Sequence, residues 1–236
     1  MSKISHEKWK VWGNVFDEHA LDNLYKLITQ GYFERMRSPI SIGKEANVFT
    51  AEKKDGSLVI VKIYRLETCN FNKMYDYIKC DPRYEMLKKQ RRKVIFSWTQ
   101  REYRNLLKAR EANIRVPTPI TARDNIIVME YMGDGETIAM KVKDHVPLNT
   151  QLFFEKTIEY MRILYKKAGI VHGDLSGYNI LNYNDSPVFI DFSQGTILRN
   201  EMAEELLVRD VKNVCQFFQK LGLKVDAEKV LKEIKK

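Results

Sequence analysis

The sequence predicts an α+β protein built in two lobes, because strand patterns fill much of its first half and helical patterns dominate its second half. The strand patterns cover residues 40–42, 47–51, 58–64 and 126–131. The later helical patterns cover residues 148–168, 201–222 and 226–235, with two short strands at 179–183 and 187–191. We expect an N-terminal helical extension over residues 1–38, a first lobe over 39–132 and a trimmed second lobe over 133–236.

Composition narrows the class of protein. Hydrophobic residues make up 44% of the 236-residue chain, which is enough to bury a core, and no apolar run is long enough to span a membrane. The first 14 residues are polar and lack the apolar centre of a signal peptide. The three cysteines fit neither a zinc site nor a disulfide framework, so we expect reduced thiols and a cytoplasmic protein. The net charge of +9 favours anionic partners such as nucleotides, RNA or acidic lipid without choosing among them.

Local patterns assign the connecting elements. Residues 17–31 predict an amphipathic helix that Asp17 can cap and Gly31 can end. A basic insert occupies residues 64–97, and a helix is expected over 98–112. The glycines at 133–135 mark a hinge between the lobes.

The strongest chemical pattern is VHGDLSGYNIL at residues 171–181, followed by VFIDF at 188–192. Phosphoryl transfer requires a divalent metal on the phosphates and a group that orients the nucleophile. The spacing lets Asp174 face a hydroxyl or water while Asn179 reaches a metal, and Asp191 supplies a second hard oxygen ligand. A solvated polar loop is the alternative, but it does not explain the apolar strand that ends in Asp-Phe.

Lys62 lies within the otherwise apolar stretch VIVKIY. Burying a lysine is costly unless an anion accompanies it, so Lys62 is a candidate to hold phosphates. Glu102 in TQREYRNL is its natural partner. An edge-strand lysine that points to solvent is the alternative.

A phosphate-covering loop is expected at residues 41–49, SIGKEANVF, upstream of Lys62. Its single glycine, Gly43, means that it is neither a G-x-G-x-x-G nor a Walker A sequence. Backbone N–H groups and the Ser41 hydroxyl could still contact phosphate.

The basic run KKQRRK at residues 88–93 has two interpretations of equal weight. It is either a solvated loop or a contact for RNA or another anionic surface. Nearby aromatic side chains could stack on bases or belong to the core; they are Phe71, Tyr75, Tyr77, Tyr84 and Trp98.

Together these motifs resemble the RIO kinases, a group of atypical protein kinases, from about Phe16 to the C-terminus. The specific segments are PISIGKEANVF, REYRNL, VPTPI, MEYMGDG, VHGDLSGYNIL and VFIDFSQG. The KEANV form resembles the first RIO type, which lacks a winged helix, and the length suits a compact archaeal form. The resemblance implies a two-lobed protein-kinase-like fold and a non-specific serine/threonine protein kinase with ATPase activity.

The resemblance also assigns roles to residues. Lys62 would bind the ATP phosphates with Glu102 positioning it, and Asp174 would be the catalytic aspartate. Asn179 and Asp191 would bind Mg²⁺ or Mn²⁺, and Asp191 would also be the site of an aspartyl-phosphate intermediate. We expect ATP, the pre-ribosomal small subunit and its RNA as partners, and no membrane.

The adenine of ATP would contact backbone groups of Glu130 and Met132. Two positions depart from the family pattern: Ile42 replaces a threonine in the phosphate loop, and Gly177 replaces a common acidic residue. Only 45 residues follow Asp191, and none spells Ala-Pro-Glu, the mark of the segment that docks peptides in ordinary kinases. We therefore expect transfer to the protein itself or to water more readily than to free peptides.

Two other functions fit the motifs. A small-molecule phosphotransferase of the aminoglycoside type would share His-Gly-Asp-Leu and Ile-Asp-Phe, but not KEANV or the basic insert. An RNA- or ribosome-binding module switched by nucleotide would not need intact Lys62, Asp174, Asn179 and Asp191.

Overall fold

The computed structural model describes residues 16–236, so the first 15 residues of the expected N-terminal extension lie outside the described residues. Helix α1 spans Glu18–Thr29 and begins as expected, because the Asp17 carboxylate accepts a hydrogen bond of 2.8 Å from the Ala20 backbone N–H. Leu24 and Leu27 are buried on its inner face.

The first lobe contains a five-stranded antiparallel sheet in the order β1-β2-β3-β5-β4. Its strands are β1 (Arg35–Ile42), β2 (Ala46–Glu52), β3 (Leu58–Tyr64), β4 (Pro119–Arg123) and β5 (Ile126–Glu130). Strand β1 begins at Arg35, whereas the first lobe was expected to begin at residue 39. Strand β3 is central, so the alternative of an edge strand for Lys62 is excluded.

The basic insert is folded against the lobe. It contains helix α2 (Phe71–Lys79) and a short 3₁₀ turn (Pro82–Tyr84), and it leads into the long helix α3 (Arg91–Glu111). The sequence prediction of a helix over 98–112 was wrong at its start, because α3 begins seven residues earlier. Basic side chains are normally unfavourable at the N-terminus of a helix, where the helix dipole is positive. The basic run at residues 88–93 therefore did not indicate the start of a helix.

The second lobe is mostly helical and also contains short strands, which form one three-stranded sheet and two pairs. Its helices are α4 (Thr150–Lys166), α5 (Ala203–Lys220) and α6 (Ala227–Lys235). Its strands are β6 (Gly133–Asp134), β7 (Thr137–Ile138), β8 (Met140–Lys141), β9 (Ile170–Val171), β10 (Ile180–Tyr183), β11 (Ser186–Phe189) and β12 (Thr196–Ile197). Strands β6 and β7 pair as a small hairpin at the expected hinge, and β9 pairs with β12.

One hydrophobic core joins the two lobes. It extends from Ile127 in the sheet through Trp98 of α3 to Phe189 and Phe218 in the second lobe. A second core lies between α1 and the other face of the sheet. Within residues 16–236, none of the helices is both long and apolar enough to cross a membrane.

Candidate active site

Lys62 stands at the centre of the sheet, between Val48 of β2 and Ile127 of β5. Its Nζ donates to Glu102 Oε1 at 2.8 Å and to Asp191 Oδ1 at 3.0 Å. Strand β3, helix α3 and the segment after β11 therefore meet at one ammonium group. The structure brings these three predicted site residues together.

Electrostatics keep this ion-pair group charged. Burial alone would lower the pKa of Lys62, but the charges of Asp191 and Glu102 raise it well above its ordinary value. Burial opposes the ionisation of Asp191, yet the Lys62 charge holds the pKa of that carboxyl at about 2. Burial raises the pKa of Glu102, and the Lys62 charge opposes this shift. A lysine held protonated between two carboxylates is suited to bind a polyphosphate.

The loop between β9 and β10 places Asp174 beside Asn179. The Asn179 Nδ2 donates to the Asp174 main-chain carbonyl at 2.8 Å and to Asp174 Oδ2 at 3.1 Å. This leaves the Asn179 amide oxygen as the atom of that side chain that can bind a metal. Burial and the nearby charge of Asp191 raise the pKa of Asp174, which makes this carboxylate a better proton acceptor.

Asp191 follows β11 in a left-handed backbone conformation with φ of 62°, which Asp tolerates better than most residues. The Ile190 N–H donates to the Asn179 carbonyl at 3.0 Å and so keeps the two metal-ligand candidates together. The Asp191 side chain is 41% exposed, so solvent reaches it although Lys62 Nζ binds its Oδ1.

The donor atoms of Asn179 and Asp191 fit Mg²⁺, which prefers oxygen ligands and is commonly held by one or two protein groups plus substrate phosphates. A metal held by these two side chains would take its remaining ligands from the phosphates of the nucleotide and from water.

Asp210 of α5 is a supporting residue that the sequence prediction missed. It accepts hydrogen bonds from the Gly173 N–H at 2.7 Å and the Leu175 N–H at 2.8 Å, on either side of Asp174. Burial raises the pKa of Asp210 to about 7. The sequence does contain a signal for Asp210: it is a carboxylate on the apolar side of α5, between Leu207 and Val211.

Helix α3 also fixes the segment after Asp191 through two residues that sequence reasoning missed. Arg101 Nε donates to the Gly195 carbonyl at 2.9 Å, and Asn105 Nδ2 donates to the same oxygen at 2.7 Å. Both side chains are fully buried. The sequence around them is polar, and residues in such a stretch are usually expected to face solvent. One helix therefore positions both Glu102 and the turn that carries Asp191.

The segment expected to be a phosphate-covering loop, residues 41–49, is mostly strand, because β1 runs to Ile42 and β2 begins at Ala46. Only residues 43–45 form the connection. The Gly43 N–H donates to the Ala46 carbonyl at 3.1 Å, and a Cβ at Gly43 would lie only 2.8 Å from that oxygen. This close approach explains the single glycine. Ser41 is exposed on β1 opposite Val48 and does not contact the Lys62 group.

Glu130 and Met132 lie at the end of the sheet, where the chain crosses to the second lobe. The Glu130 carboxylate binds Arg115 at 2.6 and 2.8 Å and Thr118 at 2.7 Å, so its side chain is already engaged. The Met132 carbonyl accepts from the Ala139 N–H at 2.8 Å. Any adenine contact at these two residues would therefore use the remaining backbone groups.

Gly177, one of the departures from the expected pattern, lies against α5. A Cβ there would come within 2.7 Å of the Phe217 ring, so a larger residue would require that ring to shift. The glycine allows the loop between β9 and β10 to pack closely on α5.

Comparison with known proteins gives consistent matches. The family profile that describes the RIO domain matches residues 47–230. RIO-type serine/threonine-protein kinase Rio1 of Haloferax volcanii is 39% identical over 94% of this chain and 76% of its own. The protein of the same name from Methanocaldococcus jannaschii is 40% identical over 91% of this chain and 73% of its own.

A solved structure has the same fold. The Rio2 kinase–ADP/Mg²⁺–phosphoaspartate complex from Chaetomium thermophilum matches with a TM-score of 0.68 and 20% identity, over 89% of this chain and 64% of that one. The two-lobed kinase-like fold expected from the sequence is confirmed.

Proposed function

Because the chain belongs to the RIO family of serine/threonine-protein kinases, we propose that it is a Mg²⁺-dependent ATPase and protein kinase whose catalytic centre surrounds Lys62. The observation that carries this proposal is the buried Lys62 ammonium held by Glu102 and Asp191. The two archaeal relatives are named serine/threonine-protein kinases, and this chain matches most of the length of each. These matches disfavour an aminoglycoside-type phosphotransferase. A Lys62 variant, described in the Discussion, tests the proposal.

Each residue has a chemical task in this proposal. Lys62 binds the ATP phosphates, and Glu102 fixes its ammonium group. Asp174 orients the attacking hydroxyl or water and accepts its proton. Asn179 and Asp191 hold Mg²⁺, which, when bound, neutralises phosphate charge as a Lewis acid. Backbone groups of Glu130 and Met132 bind the adenine, and the connection between β1 and β2, with Ser41 near its start, covers the phosphates.

We further propose that Asp191 forms an aspartyl phosphate. One of its carboxylate oxygens attacks the γ-phosphorus, the bond to the β,γ-bridging oxygen breaks, and ADP leaves. Water then attacks the acyl phosphate and restores the carboxylate, with release of inorganic phosphate. The ionised state of Asp191 and the partial exposure of its side chain support this step. The phosphoaspartate of the Rio2 complex from Chaetomium thermophilum supports it as well.

Hydroxylamine should release most of the label from protein that has been incubated with γ-labelled ATP and Mg²⁺ and then denatured. Hydroxylamine cleaves acyl phosphates and leaves phosphoserine and phosphothreonine intact. The Asp191→Ala variant should carry no such label, and mock treatment with salt at the same pH is the control. Label that survives hydroxylamine and maps to a hydroxyl side chain would contradict the intermediate.

A role in small-subunit ribosome maturation, with pre-ribosomal RNA as a contact of the basic insert, is part of the proposal, as is a cytoplasmic location. Arg91, Arg92 and Lys93 occupy the first turn of α3, which has no acidic residue there and no side-chain cap. Three cations at the positive end of a helix disfavour folding but attract phosphate.

All three cysteines are free thiols, which suits a reducing compartment.

The aromatic residues of the insert contribute less to this surface than their number suggests. Trp98 is buried, so of the two alternatives, base stacking or core, the structure favours the core for this residue. Phe71, Tyr75, Tyr77 and Tyr84 are partly buried against the core. Electrostatic contact therefore dominates the proposed RNA interface.

Neutralising the exposed basic run should flatten the salt dependence of RNA binding. The five changes are Lys88→Gln, Lys89→Gln, Arg91→Gln, Arg92→Gln and Lys93→Gln. Each lost phosphate contact should reduce the slope of log K against log salt by about 0.7 for single-stranded RNA. Binding is measured by filter retention from 50 to 300 mM salt, in roughly the range where such contacts dominate.

A matched control carries the same loss of charge near α6, with Lys220, Lys224, Lys229, Lys232 and Lys236 replaced by Gln. This control should keep the wild-type slope, and both variants should keep wild-type ATP affinity. Equal slopes for the two variants would return the run to the solvated-loop interpretation.

A further inference from the structure

The second carboxylate oxygen of Glu102 is occupied by a residue outside the known ion pair. The Tyr64 hydroxyl donates a hydrogen bond to Glu102 Oε2, while Lys62 Nζ donates to Oε1. Tyr64 follows Lys62 by two positions on β3, so both side chains point to the same face of the sheet. Both oxygens of the carboxylate are therefore held by one strand.

This contact lies in the interior of the protein. Tyr64 is 2% exposed and Glu102 is 1% exposed, so water cannot replace the phenol as a donor to Oε2. Burial and the Glu102 charge raise the pKa of Tyr64 well above its ordinary value, and the hydroxyl keeps its proton. Loss of the hydroxyl would leave a buried, charged oxygen without a partner.

The main chain around Tyr64 is also fixed. Its N–H donates to the Asn125 carbonyl at 2.8 Å, and the Asn125 Nδ2 donates to the Tyr64 carbonyl at 2.7 Å. The ring lies below the ammonium of Lys62, with 5.1 Å between Nζ and the ring centroid. Tyr64 therefore has a fixed position and contacts both partners of the ion pair, Lys62 and Glu102.

We propose that Tyr64 is a positioning residue for phosphoryl transfer, which acts through Glu102 to aim Lys62 at the phosphates. This inference rests on the proposed function. A carboxylate bound at one oxygen can rotate and move its partner, whereas one bound at both oxygens from the same strand has a single orientation. The phenol also ties α3 to the sheet, because Glu102 cannot swing outward without breaking both hydrogen bonds.

The test is a double-mutant cycle on ATP hydrolysis. Tyr64→Phe removes only the hydroxyl, and kcat should fall about tenfold, the scale of one buried hydrogen bond to a charged group. Glu102→Ala should lower kcat further, and Tyr64→Phe should then have little additional effect in the Glu102→Ala background. Thermal unfolding of each variant establishes that it is folded at the assay temperature.

Tyr84→Phe is the matched control. Its buried hydroxyl has no hydrogen-bond partner within the described part of the chain, so its removal deletes the same atoms without touching Glu102. This variant should keep wild-type kcat, alone and with Glu102→Ala.

The outcomes separate the inference from the proposed function. A folded Tyr64→Phe variant with wild-type kcat, or a full tenfold loss repeated in the Glu102→Ala background, would overturn the positioning role. If Tyr64→Phe is unfolded at the assay temperature, the cycle is run below its unfolding midpoint with the same two outcomes. Wild-type turnover by Glu102→Ala would instead overturn the assignment of Glu102 in the proposed site.

Discussion

Lys62→Ala should lower ATP turnover by about 10²- to 10³-fold, the scale expected when one preorganised electrostatic donor is lost from an active site. In the structure the ammonium is the only group that bonds both Glu102 Oε1 and Asp191 Oδ1 within the described residues. Its removal takes away the cation for the phosphates and leaves two carboxylates facing each other. Turnover is measured as phosphate release under saturating ATP and Mg²⁺.

Lys62→Met is a useful second variant, because methionine fills a similar volume without the charge. Both variants should fold, since Glu102 already has a raised pKa and can take up a proton when its partner is lost. Lys156→Ala serves as the control: this lysine contacts Ser186 in the second lobe, away from the Lys62 group. Near-wild-type turnover by a folded Lys62 variant would reject the assignment of Lys62 to the catalytic centre.

The helical patterns of the second lobe were sufficient to predict α4, α5 and α6 within about two residues of their observed ends. They were not sufficient for α3, the longest helix, whose basic first turn was left out of the prediction. The apolar character of LVIVKIY predicted β3, the strand that carries Lys62. Strands β9 and β12 have two residues each, which is too short for any period to appear.

The partners of the site residues could not be predicted in the same way. Arg101 and Asn105 lie in a polar stretch whose residues usually face solvent, but in the structure both are buried and bond the turn at residues 192–195. That turn packs on α3 through contacts more than 80 residues apart in sequence. Local propensity cannot predict such long-range contacts. The residues around Asp174 and Asp191 could be predicted, because their spacing follows from the chemistry of phosphoryl transfer.

Asp174→Ala should separate catalysis from nucleotide binding. It should lower kcat by about 10²- to 10⁴-fold, the range for loss of a general base, and leave Mg²⁺-dependent ATP affinity nearly unchanged. Asp174 does not touch Lys62; its carboxylate contacts Asn179 and has a raised pKa, as suits a group that accepts a proton from the nucleophile.

Asp191→Ala and Asn179→Ala should instead weaken ATP binding in the presence of Mg²⁺. Asp191 accepts a hydrogen bond from Lys62 and has a partly exposed carboxylate, so its loss removes the proposed metal ligand and a partner of the proposed phosphate-binding lysine together. Affinity is measured with a fluorescent ATP analogue, once with Mg²⁺ and once with EDTA. The Asp191 and Asn179 variants should lose most of the difference between these two conditions, and the Asp174 variant should keep it.

Asp144→Ala is the control for loss of a carboxylate outside the site, since Asp144 is paired with Lys143 on the surface. Asn179→Ala should show some catalytic loss as well, because its Nδ2 holds the Asp174 carboxylate in place. The Asp174 and Asn179 effects on kcat should therefore be less than additive when combined. If Asp174→Ala abolished Mg²⁺-dependent binding while Asp191→Ala retained it, the two aspartates would have the opposite roles, and the metal would be held on the β9–β10 loop.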